Sequence, residues 1–198
     1  IITGSVLPLL YPIGFISWML GTVLNFMTLL SGIASRTAMF VAEVQHTKAV
    51  ILDTRKTFPG YRLLQKYAVR CGGGTNHRMG LYDGILIKDN HIAVAGGITK
   101  AVEAIRPHLK QGILIEVETT TLEEVAEALA AGADIIMLDN MDNETMAKAV
   151  ALIGDRAKSE ASGNMSAGRL AGVALTGVDY ISVGALTHSV KALDISQR

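Results

Sequence analysis

A three-part unit recurs along this chain from Lys48 onward and strongly restricts the folds open to it. Each unit has a short apolar run, a polar residue at the end of that run, and a segment with apolar residues at helical spacing. The runs predict strands at residues 49–52, 85–87, 113–117, 135–138, 157–161 and 180–183. The segments between them predict helices at residues 59–69, 99–109, 122–131, 144–153 and 167–175.

Apolar strands that alternate with amphipathic helices indicate a parallel sheet covered by helices. The similar lengths of the later units favour a β/α barrel over a doubly wound sheet. Eight strands are usual for full closure, so the six units predict an α/β fold that is an incomplete parallel β/α barrel. Pro59 suits the first turn of a helix, and Gly132 and Gly177 suit helix C-termini.

Polar residues fall at or just after the C-terminal ends of five of these strands. They are Lys88, Glu118, Asp139, Ser162-Gly163 and Gly184. In β/α barrels this rim carries the active site, because each strand contributes a side chain or loop to it. Helix capping can explain single residues of this kind. It does not explain the set, since lysine is a poor N-cap.

A cluster of cations lies within forty residues, beside glycines or at the ends of apolar runs. It contains Arg55, Lys56, His77, Arg78 and Lys88. Arginine grips planar carboxylates with two parallel hydrogen bonds, and lysine supplies a point charge for phosphate. The cluster therefore predicts a site for a small molecule with several negative charges. The alternative is that these are ordinary solvated charges.

Glu118 and Asp139 form a pair of carboxylates on neighbouring strands. Such a pair can hold Mg²⁺ or accept hydrogen bonds from ribose hydroxyls. One alternative is an ion pair with Lys88 or Arg55. Another is the acid and base of a glycosidase, although nearby cations favour ionised carboxylates over a raised pKa.

Two glycine-containing turns follow the last two strands, at residues 162–164 and 184–186. In barrels this is a common place for a phosphate, which is bound by backbone N–H groups and a helix N-terminus. We therefore expect a phosphate site here. The alternative is that the glycines only allow the chain to turn.

The first 35 residues carry no charge, and Arg36 is the first charged residue. Residues 6–30 are long and apolar enough for a membrane span, but prolines and glycines interrupt them. A buried or interface segment, a span and a sequence artefact are the alternatives, and a buried or interface segment is favoured. Residues 24–44 predict a helix that is broken near residues 31–32.

Composition narrows the partners and the compartment. The net charge is zero, so no overall field attracts nucleic acid or an anionic membrane, and neither partner is expected. The single cysteine, Cys71, excludes an internal disulfide. It suits a reducing compartment, and we expect a cytoplasmic protein.

Six motifs occur in order along the chain, and together they closely resemble the quinolinate phosphoribosyltransferase family. They are DTRKTFPG, CGGGTNHRMGLYDGILIKDNHI, IEVE, IIMLDNM, EASGN and TGVDYISVGALTHS. The resemblance covers residues 22–198 and implies a barrel of the type II phosphoribosyltransferase kind. Residues 1–21 then form a divergent apolar segment in place of most of the family's N-terminal sandwich domain.

The resemblance implies a reaction and a set of roles. Quinolinate and phosphoribosyl pyrophosphate would give nicotinate mononucleotide, pyrophosphate and CO₂, with Mg²⁺ as cofactor and a homodimer or higher homo-oligomer as the assembly. The implied catalytic residues are Lys56, Lys88, Glu118 and Asp139, with Glu118 and Asp139 at the metal. The implied substrate-binding residues are Thr54, Arg55, Lys56, His77, Arg78, Lys88, Glu118, Asp139, Ser162, Gly163, Asn164, Gly184 and His188.

One departure from the family pattern bears on the substrate. The family usually reads Glu-Arg-Thr where this chain has Leu20, Gly21 and Thr22, and that arginine reaches the neighbouring subunit's site. Two further functions therefore stay open: a phosphoribosyltransferase acting on nicotinate or another aromatic acid, and an inactive barrel that only associates with a partner.

Overall fold

A computed structural model describes the backbone of residues 7–196 and the side chains of residues 15 and 17–196. The first six residues of the predicted segment 1–21, and the last two of the predicted barrel segment 22–198, lie outside the described residues. Helix α1 runs through residue 21 without interruption, so the division between the two segments stays a prediction.

Six parallel strands form one sheet, which confirms the predicted α/β class and strand number. They are β1 (Val50–Leu52), β2 (Ile85–Ile87), β3 (Ile115–Thr119), β4 (Ile135–Asp139), β5 (Lys158–Ser162) and β6 (Tyr180–Ser182). Their order is β1-β6-β5-β4-β3-β2, so every neighbour but one is consecutive in sequence. The edges of β1 and β2 are not paired with each other within the described chain. A single parallel bridge between Leu52 and Thr75 joins β1 to the loop that precedes β2.

Eight α-helices accompany the strands in the described part of the chain. They are α1 (Leu7–Val44), α2 (Arg62–Cys71), α3 (Asp89–Ala95), α4 (Ile98–Ile105), α5 (Leu122–Ala130), α6 (Asn143–Ile153), α7 (Leu170–Ala174) and α8 (Ala185–His188). A 3₁₀ turn, Arg106–His108, extends α4. The two short helices α3 and α8 were not predicted.

Local chemistry sets several of the helix ends. Asp142 caps α6 by accepting a hydrogen bond from the backbone N–H of Thr145 at 2.7 Å. Gly132 and Gly177 follow α5 and α7 with φ of +80° and +87°, the left-handed conformation that glycine adopts without strain. The glycine predictions are confirmed. The prediction for Pro59 is wrong, because the chain turns there and α2 begins only at Arg62.

The break predicted in the first helix is also wrong, because α1 is continuous from Leu7 to Val44. Its second half packs on the barrel, where Ile33 and Phe40 are buried. Gly32 lies on this packed face, and a Cβ there would come within 2.2 Å of the carbonyl oxygen of Lys191. The glycine therefore serves close packing between α1 and the C-terminal residues, and that packing outweighs its low helix propensity.

The described apolar side chains in the first half of α1 are exposed. Phe15, Trp18 and Val23 are 57%, 68% and 51% exposed. By length and composition, Ser17–Val44 could cross a membrane, with a mean hydropathy of 1.3. A core helix of a soluble protein or a leader segment meets the same criteria, and the second half of α1 is a core helix here.

The strands direct alternate side chains to opposite sides of the sheet, as their geometry requires. The side chains that pack beneath the helices are apolar and fully buried, as for Val117, Ile136 and Ile181. Those on the other side include Glu118 and Glu160, which line a central cavity. The barrel interior is thus polar near the strand ends, and the hydrophobic core lies between sheet and helices.

Candidate active site

A cavity of about 790 Å³ opens at the C-terminal ends of the strands. All of the predicted substrate-binding residues line it, so the structure brings the whole set together. These residues are Thr54, Arg55, Lys56, His77, Arg78, Lys88, Glu118, Asp139, Ser162, Gly163, Asn164, Gly184 and His188.

Sequence reasoning missed the rest of the lining. Apolar walls come from Leu86, Met137 and Met165, which give a ligand a surface to lie against. The polar lining residues that were not predicted are Asn140, Glu160, Ser166 and Ser182.

Arg55 and Arg78 place two guanidinium groups at one side of the cavity. Arg78 donates a hydrogen bond from Nη1 to the carbonyl oxygen of Gly84 at 2.9 Å. Burial, and next the positive charge of Arg55, lower the pKa of Arg78. Arg55 Nε is buried and has no hydrogen-bond partner among the described residues. Two like charges with unused donors favour binding of an anion between or beside them.

A buried ion pair outside the cavity holds the cationic loop in place. Lys66 on α2 donates to Asp53 at 2.5 Å and to the carbonyl oxygen of His77 at 2.8 Å. Asp53 also accepts from the backbone N–H of His77 at 2.9 Å and from Asn76 Nδ2 at 2.7 Å. Burial raises the pKa of Asp53, against the opposing effect of Lys66. This network ties the end of β1 to the loop that carries His77.

Glu118 and Asp139 each interact with a different neighbouring side chain. Glu118 forms an ion pair with Lys88 Nζ, which is the ion-pair alternative that the sequence left open. Asp139 accepts a hydrogen bond from Asn140 Nδ2 at 2.7 Å. Both carboxylates still line the cavity, so oxygens on neighbouring strands β3 and β4 face the same space.

The turn after β5 contains consecutive residues with left-handed backbone. Gly163 and Asn164 have φ of +92° and +50°, and Asn140 opposite them has φ of +55°. A Cβ on Gly163 would lie 2.2 Å from Asn140 Oδ1, so only glycine fits. The predicted helix terminus is not found at residues 162–164, because α7 begins only at Leu170.

The turn after β6 agrees with the prediction more closely, since α8 begins directly after Gly184. A Cβ on Gly184 would lie 3.1 Å from the ring of His188 and 3.5 Å from Lys56 Cδ. The missing side chain thus lets the His188 ring and the Lys56 side chain approach the backbone closely. His188 itself is exposed and its Nδ1 lies 2.6 Å from Ser189 Oγ.

Three ionisable side chains meet beneath the cavity, and two of them were missed. His77 Nε2 lies 3.0 Å from Glu116 Oε2 and 3.5 Å from Glu160 Oε2. Burial acts to lower the pKa of His77, but the hydrogen bond to Glu116 and the charge of Glu160 outweigh it and raise that pKa. Burial, and next the charge of Glu116, raise the pKa of Glu160 to about 8.

The same three side chains have the separations of a metal site, with their ligand atoms within 4.8 Å of one another. The hydrogen bonding of His77 argues against that use. The backbone N–H of Arg78 donates to His77 Nδ1 at 2.8 Å, so the neutral ring carries its proton on Nε2. A metal at Nε2 needs that nitrogen free of a proton, and the cluster fits protons better than a cation.

A signal for the missed acids was present in the sequence. Glu116 precedes Glu118 by two residues in one strand, and Glu160 precedes Ser162 by two in another. Side chains two apart point to the same side of a strand. Glu116 and Glu160 therefore had to lie one layer below the predicted rim.

Comparison with known proteins shows which family this chain resembles. Residues 33–198 match the family described as "Quinolinate phosphoribosyl transferase, C-terminal domain". The chain is 52% identical over 174 residues to a Bacillus subtilis protein named "Probable nicotinate-nucleotide pyrophosphorylase [carboxylating]", covering 88% of this chain and 60% of that one. It is 50% identical to a Nicotiana glauca "Quinolinate phosphoribosyltransferase [decarboxylating] 2, mitochondrial", with 88% and 54% covered.

Solved structures agree with these relatives. The nicotinate-nucleotide pyrophosphorylase from Francisella tularensis has a TM-score of 0.86 and 50% identity to this chain. The match covers 88% of this chain and 62% of that one. The chain therefore spans a little over half of the length of the relatives it matches.

Proposed function

This chain belongs to the quinolinate phosphoribosyltransferase family, and we propose that its cavity transfers the phosphoribosyl group of phosphoribosyl pyrophosphate to quinolinate with loss of CO₂. One observation carries the proposal. Arg55, Arg78, Glu118, Asp139 and the turn at Gly163 all face one cavity of a size that small-molecule sites have.

The cationic side of the cavity suits a dicarboxylate. Arg55 and Arg78 offer planar donors, and Lys56 and His77 lie beside them in the lining. Each charge-assisted hydrogen bond to a carboxylate contributes about 1.5–3 kcal/mol. We assign quinolinate to this side, where ligand binding would also relieve the repulsion between the two guanidinium groups.

The opposite side of the cavity suits phosphoribosyl pyrophosphate. The 5′-phosphate is assigned to Ser162, Gly163, Asn164 and Gly184, in the two turns that follow β5 and β6 and line the cavity. The ribose hydroxyls are assigned to Glu118 and Asp139. Departure of pyrophosphate leaves a positively charged ribose, and two carboxylates stabilise such a charge as it develops.

Magnesium is proposed as the cofactor. Two carboxylates on adjacent strands match what Mg²⁺ takes from a protein when substrate phosphates and water supply its other ligands. Glu118 and Asp139 would hold it. When bound, Mg²⁺ would neutralise the charge of the leaving pyrophosphate. Lys88, which pairs with Glu118, adds a second positive charge at the same place and is assigned to the pyrophosphate.

We propose that quinolinate binds weakly to this chain because an arginine that is usual in the family is replaced by Gly21. Gly21, where the family usually has arginine, is exposed, and a Cβ there would meet nothing within 4 Å. We expect Gly21→Arg to fold normally and to tighten quinolinate binding by about tenfold, because it restores one charge-assisted contact. Since that arginine acts on the neighbouring subunit, the gain should appear only in an oligomer. Titration calorimetry with sedimentation of the same samples measures both.

We propose a homodimer or higher homo-oligomer in the cytoplasm as the working state. Exposed apolar side chains on α1, including Phe26 and Met27, supply surface for self-association. The names of several plant relatives place those proteins in mitochondria or chloroplasts.

Calorimetry with each ligand separately tests the proposal. We expect binding of phosphoribosyl pyrophosphate in the presence of Mg²⁺, and weakening by about tenfold or more in Asp139→Asn, because one charge-assisted contact is lost. Quinolinate binding should not change in that variant. Lys148→Ala, on the exposed face of α6, is the matched control.

Release of CO₂ separates the candidate reactions. Labelled CO₂ from quinolinate supports the decarboxylating enzyme, whereas product from nicotinate without CO₂ supports the related enzyme. Binding of neither substrate, in the presence or absence of Mg²⁺, would leave only an association role for the barrel.

A further inference from the structure

Glu160 lies at the floor of the cavity and has no partner for either carboxyl oxygen. Its side chain is fully buried within β5, yet it lines the cavity. Neither Oε1 nor Oε2 has a donor in hydrogen-bonding geometry in the described chain, although the side chains of Ser182 and Glu116 lie near enough to act on its pKa. An ionised carboxylate in this position would be costly, because burial without hydrogen bonds disfavours the charged form.

The hydrogen bonds of His77 show where one proton of the cluster lies. The backbone N–H of Arg78 donates to Nδ1 at 2.8 Å, so Nδ1 accepts. The neutral ring then carries its proton on Nε2 and donates it to Glu116 at 3.0 Å. Glu160, at 3.5 Å from the same nitrogen, is left without that donor.

The groups that face Glu160 from other elements complete its charge environment. Glu116 faces it from β3, Tyr180 and Ser182 are its neighbours on β6, and His77 faces it from the loop before β2. Burial, and next the negative charge of Glu116, raise the pKa of Glu160 to about 8, against the smaller opposing effects of His77 and Ser182. A proton on Glu160 also removes one of the charges that raise the pKa of His77, while the hydrogen bond to Glu116 remains.

We propose that Glu160 is a neutral carboxylic acid that donates the proton required after decarboxylation. The inference rests on the proposed function. When the bond between the ring carbon and the carboxylate breaks, CO₂ leaves and the electron pair stays on the carbon. That carbon takes the proton of Glu160, a C–H bond forms, and Glu160 becomes a carboxylate. Solvent returns the proton once the product has left.

Other cavity groups are less suited to this step. The Lys88 ammonium is engaged by Glu118, and His77 directs its N–H to Glu116. Arginine does not release a proton in proteins. Lys56 is the competing donor, because it lines the same cavity and is exposed.

Glu160→Gln is the direct test, because it keeps the shape of the side chain and removes the acid. We expect kcat for CO₂ release to fall by about 100-fold or more, the range for loss of a general acid, with KM changed less than about threefold. Wild-type kcat should fall as the pH rises through about 8, and Glu160→Asp should keep part of the activity. Glu103→Gln, on the exposed side of α4, is the control and should match the wild type.

Each other result has a distinct meaning. Wild-type kcat and pH profile in Glu160→Gln, or loss of the step in Lys56→Met with Glu160→Gln unaffected, would overturn the inference. Absence of CO₂ release from the wild type would instead reject the proposed function.

A spectroscopic measurement decides the proton's position independently of turnover. Infrared spectra of wild type should contain a protonated-carboxyl band at pH 7 that disappears as the pH rises through about 8. Glu160→Gln should lack this band and Glu103→Gln should retain it. A wild-type spectrum without the band at pH 7 would overturn the inference.

Discussion

The two ends of the sheet differ in how completely their charged side chains are paired within the protein. At the end where the strands begin, Asp179 lies 3.1 Å from both Lys48 and Lys158, so the charges are paired within the protein. Towards the end where the strands finish, Lys88 pairs with Glu118. Arg55 Nε, and both oxygens of Glu160 one layer below the rim, are however buried without a hydrogen-bond partner in the described residues. Both ends belong to the same parallel strands: one is formed by their N-termini and the other by their C-termini.

We infer that charges at the N-terminal end of the strands serve stability, whereas unpaired charges towards the C-terminal end serve ligand binding. Paired charges such as Asp179 and its lysines satisfy one another and need no ligand. Unpaired and pKa-shifted groups raise the free energy of the empty protein, and they mark functional sites for that reason. Four substitutions test this separation.

Asp53→Ala should cause the largest loss of unfolding free energy. It tests how much the ion pair between Asp53 and Lys66 stabilises the ligand-binding end of the sheet. Lys66 is 1% exposed, so the substitution leaves a buried charge without its partner. Removing one member of such a pair costs about 3–5 kcal/mol of unfolding free energy. Urea unfolding measures it. In a double-mutant cycle with Lys66→Met, the double variant should lose less than the sum of the two single losses; additive losses would contradict the pairing.

Arg55→Ala should separate binding from stability. We expect quinolinate binding to weaken by about 2 kcal/mol, because a planar donor to a carboxylate is lost. The unfolding free energy should stay equal or rise, since the repulsion with Arg78 disappears. Arg55→Lys should restore little binding, because lysine cannot make two parallel bonds. Calorimetry and urea unfolding measure the two effects, and a large loss of stability without loss of binding would reverse the assignment.

Asp179→Asn should show the opposite behaviour at the other end. Burial acts to raise the pKa of Asp179, but hydrogen bonds from the Ser159 backbone and from the two lysines outweigh it and lower the pKa to about 2. The carboxylate therefore stabilises the fold above its ordinary value of 3.8, and this contribution is lost as the pH falls through about 2. We expect a loss of about 1 kcal/mol at pH 7 after allowing for solvent screening. Ligand binding should not change, and thermal unfolding at pH 7 and pH 2 checks the sign.

Lys148→Ala should have the smallest effect and marks the baseline of the comparison. Lys148 pairs with Glu144 on the exposed side of α6 at 2.7 Å. Exposed pairs of this kind contribute little, because water and salt screen them. We expect no measurable change in melting temperature or in either ligand's affinity. A clear change would show that surface pairs, too, support the cavity.

The strands and the rim were predictable from the sequence because both depend on local pattern. Each strand was placed within two residues. The apolar run accounts for this in five strands, but not in β5, whose sequence KSEAS is mostly polar. Lys88 and Asp139 were placed correctly because parallel strands all end at the same edge.

The features that the sequence did not predict depend on contacts between residues far apart in the chain. The pairing of Asp53 with Lys66 joins a strand end to a helix interior, and no periodicity signals it. The continuity of α1 past residue 31 goes with close packing of Gly32 on the backbone of Lys191, which lies far away in the sequence. Glu160 was inside a correctly predicted strand, but its role depends on burial beside Glu116.

The strand order has a consequence for synthesis of the chain on the ribosome. The sheet partner of β1 is β6, with Val50 opposite Tyr180, so until β6 has emerged β1 can pair only with the loop at Thr75. At about 5–20 residues per second, the wait is on the order of ten seconds. During that time the apolar strand β1 and the helix beside it remain without their sheet partner. A chaperone that binds nascent apolar segments would therefore act most strongly on the N-terminal quarter of this chain.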